Sequence, residues 1–284
     1  MAIIFEMKAQ ELKLAIIALS DVILHEEIER ERVEQIETRL RTDRVLKNPP
    51  IVAAVTDGAA TRYIVLDGAS RASALRALRV SNVLVQIVDY HSPKLKLETW
   101  HHLLTDIPPA RLRQALRLTP QITLHEMSEA RAKRELDART IVAYVKFSAG
   151  PLLGLRGDGD LVAQARALNA VVHAYENQAE LYRVAAADIE SHFTAPKQRA
   201  ALVVFPRYQP DEIIQIALSG ARLPMGITRH IIPGRALRVN LPLEVLERAQ
   251  TLAEKNAWLD AWLQAKMKNR NVRFYQEPVF LFDE

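Results

Sequence analysis

YIVLDGASRASALRAL, Tyr63 to Leu78, is the stretch on which the fold turns. An apolar run from Tyr63 to Leu66 ends in Asp67-Gly68 and passes through Ser70 and Arg71 into an Ala-rich segment. A short apolar run closed by a turn signal reads as a buried strand, and the Ala, Leu and Arg that follow favour a helix. Gly68 lets the backbone approach a ligand closely, and Ser70 stands near a helix start. Amides at that start would point at an anion, a phosphate above all. Arg71 would add positive charge, and Asp67 could hold a divalent metal or orient a hydroxyl. A plain Asp-Gly turn with a solvated arginine fits the same letters, so the flanking sequence must decide.

Upstream, Leu14 to Leu19 reads as a buried strand, and SDVILHEE, Ser20 to Glu27, as a polar-capped turn. Val33, Ile36 and Leu40 recur at helical spacing among charges, which predicts an amphipathic helix stopped by Asn48-Pro49-Pro50. Ile51 to Val55 and Arg62 to Leu66 pair as a hairpin across Thr56 to Thr61, and Asn82 to Tyr90 is a further strand. These residues alternate strands and helices as a compact α/β unit.

From Ser92 the pattern changes. Pro108-Pro109 breaks the chain. His125 to Ala138 is charged and helical, and Thr140 to Phe147 with Leu152 to Gly157 forms a strand pair. Asp160 to Leu181 is a long amphipathic helix. Ala201 to Tyr208 is a strand, and Asp211 to Gly220 a helix ended by its glycine. Ile227 to Leu243 has β character interrupted by Pro233-Gly234, and Leu243 to Asn269 reads as one final helix. Without a repeat or a low-complexity linker, the division expected is 1–105 and 106–284, two α/β halves packed together.

The 284 residues are 49% hydrophobic, enough for a sizeable core. Lys plus Arg is 38 against 34 for Asp plus Glu, a net charge of +4 without a long basic run. That balance favours small anions and does not call for nucleic acid. With no cysteine, disulfides, thiolate metal sites and cysteine chemistry are excluded. No stretch approaches the ~18 to 20 apolar residues of a membrane span, and the N-terminus lacks the pattern of a signal peptide, so a cytoplasmic protein with no membrane partner is expected.

The order of strand, turn, helix and hairpin, with ERVEQIETRLRTDRVLKNPPIVA followed by VLDGASRASALRALRVSNVLVQIVDY, resembles the ParB/sulfiredoxin superfamily over Leu14 to Tyr90. There the phosphates of a nucleotide sit on the matching strand-to-helix turn. Sulfiredoxins carry a catalytic cysteine in that turn, where this chain has Ala69. Chromosome-partitioning ParB proteins carry an acidic-Arg-Arg turn and a helix-turn-helix domain; here the turn is Asp-Gly-Ala-Ser-Arg and no clear helix-turn-helix follows. A third branch fits better. LHEE at Leu24 to Glu27, VLKNP at Val45 to Pro49, VDY with KLETWHHLL, and LPMGITRHIIPGRALRVNLPLE are similar to the free L-serine kinases, archaeal and siderophore-pathway, over Leu14 to about Glu244.

That resemblance implies a ParB/sulfiredoxin-like first domain, completed by the second, that transfers phosphate from ATP or ADP with Mg²⁺ to the hydroxyl of free L-serine. Glu27 is then the base and Asp67 the metal or phosphate ligand, with Gly68, Ala69, Ser70 and Arg71 as the nucleotide cradle. Glu26 and Glu27 fit equally well, from the residues alone, as helix N-terminal charges. Trp100 with Val33 nearby would meet the serine, although Trp100 suits plain core packing too. Thr228 and His230, two apart on a strand and so on one face, would hold its charged end; an edge strand with exposed polar residues is the alternative. His101 and His102, adjacent on a helix, point apart and do not make a metal site. Free serine and a nucleotide are the implied partners, a homo-oligomer is compatible, and a ParB-like, DNA-associated nucleotide switch is the competing class.

Overall fold

The computed structural model describes residues 12–148, 150–186, 199–269 and 271–273. Its first half comprises β1 (Lys13–Ala18), a 3-10 turn (Leu19–Asp21), β2 (Val22–Leu24), α1 (Arg30–Asp43), β3 (Val45–Leu46), β4 (Ile51–Asp57), β5 (Ala60–Asp67), α2 (Ala69–Ala77) and β6 (Asn82–Val88). Five of these strands form one mixed sheet in the order β1-β6-β4-β5-β2. β4 and β5 make the expected antiparallel hairpin, while β2 runs parallel to β5 with Leu24 opposite Val65.

The second half contains β7 (Lys96–Thr105), α3 (Pro109–Arg117), β8 (Ile122–Met127), α4 (Glu129–Asp137), β9 (Ala143–Phe147), β10 (Leu152–Gly157), α5 (Leu161–His173), β11 (Glu180–Ala185), β12 (Arg199–Val204), α6 (Pro210–Leu218) and β13 (Thr228–Ile231). They build an antiparallel sheet ordered β11-β7-β12-β9-β10-β8, with β13 added to the other end of β7. The chain closes with β14 (Leu241–Pro242), α7 (Leu243–Glu247) and α8 (Leu252–Lys268). The fold is mixed α/β, as expected.

The continuous apolar run of β5 has a direct cause. Alternate residues point to opposite faces of a sheet, and both faces of this one are covered. Ile64 and Leu66, with Ile51 and Ala53 of β4, belong to the core shared with the second half. Val65 and Val52 belong to the core beneath α1, α2 and α8. A strand buried on both sides loses its polar alternation, and truncating Ile64 to alanine would cost ~2–5 kcal/mol.

Several sequence expectations change; the helix expected over Asp160 to Leu181, for one, ends at His173, and β11 begins at Glu180. The strand holding Trp100 to His102 lies in the second sheet, and Leu241 to Leu259 returns to pack on the first core. The division of the sheets thus differs from one at residue 105. Trp100 to His102 are on a strand rather than a helix, and His125 to Met127 also extend a strand before α4 begins. The single final helix is two, because Thr251 and Glu254 form a reciprocal capping box that starts α8 afresh. Asn256 of α8 then accepts from the Ile16 amide at 2.9 Å and donates to its carbonyl at 2.8 Å. Its carboxamide acts as a one-residue strand on the exposed edge of β1.

Candidate active site

A cleft of about 910 Å³ opens between the two sheets. Its floor is the strand-to-helix turn quoted first. β5 ends at Asp67, Gly68 is the N-cap of α2 with φ +93°, and no side chain caps the helix. The left-handed conformation is one that glycine adopts freely. A Cβ there would lie 2.6 Å from Arg71 Nη2, 2.8 Å from its Nε and 3.0 Å from Pro50 Cα. Since Gly68 offers the helix no side-chain acceptor, the amides of the first turn remain available to an anion.

Arg71 folds back over Gly68, and its Nη2 donates to Asp67 Oδ2 at 2.8 Å. Arg235 Nη1 stands 3.7 Å from the same oxygen. Eight cationic side chains line the cleft (Arg32, Arg39, Lys47, Arg71, Arg183, Arg229, Arg235 and Arg238) against four carboxylates, Glu26, Glu27, Asp43 and Asp67. The excess suits a polyanion.

The adjacent carboxylates of the loop before α1 have different surroundings. Glu26 is tied into the far segment: Oε1 accepts from the Thr228 amide at 2.7 Å and its hydroxyl at 2.6 Å, and Oε2 accepts from the Gly226 amide at 2.9 Å. Backbone bonds between Leu223 and both His25 and Glu27 complete the staple. Glu27 lines the cleft and is 37% exposed, with His173 Nε2 2.8 Å from its Oε2.

Behind them lies a buried polar cluster. His25 donates from Nδ1 to the Val65 carbonyl at 2.7 Å, and its Nε2 is 2.9 Å from Thr228 Oγ1. The His25 and His230 rings meet edge to face at 5.4 Å. His230 bonds the Leu66 backbone and, through Nε2, the Tyr90 hydroxyl at 2.8 Å. Burial pushes the pKa of His25 down, partly opposed by the Glu26 carboxylate. Burial, His25 and Arg235 hold that of His230 well below the usual histidine range. Both imidazoles are therefore neutral near pH 7.

Known proteins bear on this arrangement in two ways. No family model matches the chain. It is 24% identical over 272 residues, 95% of its length and 97% of the relative's, to the ATP-dependent L-serine kinase SbnI of Staphylococcus aureus. It is 28% identical over 97 residues, 33% of its length and 36% of the relative's, to the ATP-dependent L-serine kinase of Desulfurococcus mucosus. The chain is a homologue of ATP-dependent L-serine kinases. It also shares its fold with solved structures: SbnI with a C-terminal truncation superposes with a TM-score of 0.69 at 22% identity, over 92% of this chain and 98% of that one. A free serine kinase in complex with AMP superposes at 0.71 and 17%, over 83% and 94%.

Against this background, the cleft brings together Glu27, Asp67, Gly68, Ala69, Ser70, Arg71, Trp100, Thr228 and His230. Val33 is the exception. It is not among the lining residues and packs against the apolar core of the first half, on the face of α1 that a half-buried helix turns inward. The polar atoms of Thr228 and His230 are already engaged by Glu26, His25 and Tyr90, so these two form a braced wall rather than free ligands. His101 and His102 are core residues: the ring of His102 packs on Phe205 and its Nδ1 is 2.8 Å from the Tyr175 hydroxyl, while His101 Nδ1 accepts from the Phe205 amide.

Sequence reasoning missed Arg229, which strand alternation placed on the opposite face. Its guanidinium lies over the Trp100 ring, 4.4 Å from the centroid, and both line the cleft. It also missed Arg235, whose signal was present in the PGRALR that follows the ITRH motif.

Proposed function

We propose that this chain phosphorylates free L-serine, with ATP as the donor, to give O-phospho-L-serine. The observation that carries the proposal is that Glu27 and the Asp67–Arg71 turn, from separate parts of the chain, line one cleft in a near full-length homologue of L-serine kinases. The α2 amides and Arg71 would receive the phosphates. Trp100, Thr228 and His230 would wall the serine, with Arg229 supplying positive charge to its carboxylate.

In this reading the serine hydroxyl attacks the terminal phosphorus directly. The new O–P bond forms as the bond to the leaving diphosphate breaks, and the hydroxyl proton passes to the Glu27 carboxylate. Among the described residues no group of three His, Cys, Asp or Glu side chains is placed to hold a metal. That fits Mg²⁺, which is commonly bound by one or two carboxylates together with substrate phosphates. Asp67 is the residue that would hold it, and bound there it would neutralise phosphate charge.

Alignment of hydroxyl, phosphorus and leaving oxygen falls to the cleft walls, since positioning and charge supply most of the catalysis in such transfers. A donor and acceptor screen, ATP or ADP with Mg²⁺ against the twenty amino acids and with product identified by mass, tests the proposal. Serine with ATP is expected to give product. A folded, nucleotide-binding protein that modifies no amino acid, and whose retention on DNA falls steeply with salt, would instead be the DNA-associated switch.

A further inference from the structure

Glu27 has a partner that the reaction as described leaves unused. His173 is in the last turn of α5, in the second half of the fold, and its Nε2 lies 2.8 Å from Glu27 Oε2. Glu27 lines the cleft and His173 does not. The imidazole therefore meets the carboxylate from outside the cavity. Oε1 of Glu27 has no partner among the described residues, whereas both oxygens of neighbouring Glu26 are taken.

We infer that His173 is the positioning residue of the phosphoryl transfer: it holds Oε2 of Glu27 so that Oε1 alone meets the serine hydroxyl. The inference rests on Glu27 being the base. Its physical basis is orientation. A carboxylate at the end of a flexible side chain samples several rotamers, and a donor fixed on a helix selects one. His173 ends α5, and Glu176 Oε1 stands 3.7 Å from the same Nε2. The contact also joins the two halves, so the base is set only when they are packed together. The contact contributes little to stability, because both side chains are substantially exposed, 50% and 37%.

That last property makes the inference separable from a structural role. His173→Ala is expected to leave Tm unchanged and the KM values for serine and nucleotide within about twofold. It should lower kcat by about 10-fold, well inside the ~10²-fold that a displaced catalytic group can cost. His173→Gln, whose amide can donate from nearly the same place, should recover most of the rate. In a Glu27→Gln background, His173→Ala should cost nothing further. If Glu27→Gln loses at least 100-fold while His173→Ala keeps the wild-type rate, the base stands and the positioning role falls. If the tenfold loss persists in the Glu27→Gln background, His173 acts elsewhere and the inference is wrong. If Glu27→Gln retains full kcat, the base assignment falls, and the inference with it.

Discussion

Glu26 and Thr228, 202 residues apart, are joined twice: the carboxylate accepts from the backbone amide at 2.7 Å and from the hydroxyl at 2.6 Å. Adjacent Glu27 makes neither bond, and its Oε1 has no partner among the described residues. Of two neighbouring carboxylates, one is thus tied across the site and the other faces the cleft. Glu26→Gln places an amide donor against backbone donors and leaves a buried group unmatched, at ~1–3 kcal/mol. Urea denaturation should show that loss for Glu26→Gln and none for Glu27→Gln. Equal stability of the two variants would contradict the division.

The turn at Gly68 makes a second demand. Gly68→Ala combines a left-handed φ with a Cβ crowded by Arg71 and Pro50. Isothermal titration with nucleotide should show at least tenfold weaker binding, with a stability loss of about 1–2 kcal/mol. Arg71→Ala should weaken nucleotide binding with little change in stability, since the Asp67–Arg71 pair is partly exposed. Undiminished affinity in both variants would remove the turn from the nucleotide site.

Three buried histidines, His25, His101 and His102, and the half-buried His230 contribute to the response to acid. Burial lowers the pKa of His25 and His230, and takes His101 to about 4 and His102 to about 3. Below the unfolded value of 6.5, the unfolded chain takes up protons that the native state refuses. The stability these groups confer is complete above that pH and is lost as pH falls toward the folded values. Each histidine still neutral at pH 5, His101 and His102 at least, then costs roughly 2 kcal/mol relative to pH 7. A urea midpoint that does not fall between pH 7 and pH 5 would show that these side chains protonate freely.

The local part of this design was legible in the sequence. Tyr63 to Leu78 showed its strand, turn and helix because the apolar run, the glycine and the Ala-rich run lie within sixteen consecutive letters. β2 was hidden by its length, three residues followed by His25 and Glu26, which read as a polar turn. β7 was hidden because Trp100, His101 and His102 read as part of a helix, whereas the two imidazoles are held in the core by Phe205 and Tyr175. The separation of Glu26 from Glu27 could not be read locally, since Glu26's partners are 200 and 202 positions away. Val33 was drawn into the site by resemblance, whereas the spacing of Val33, Ile36 and Leu40 pointed to the inward face where it lies.

The proposed kinase requires Glu27 to accept the serine proton in a transfer from ATP. Single-turnover formation of O-phosphoserine, followed by mass for wild type and Glu27→Gln at saturating serine, ATP and Mg²⁺, tests it most directly. With Glu27 as the base, the wild-type protein forms product and the variant is slower by ~10² to 10⁴, with nucleotide affinity nearly unchanged. Absence of O-phosphoserine from a folded, nucleotide-bound wild-type protein, or equal rates for the two proteins, would contradict it.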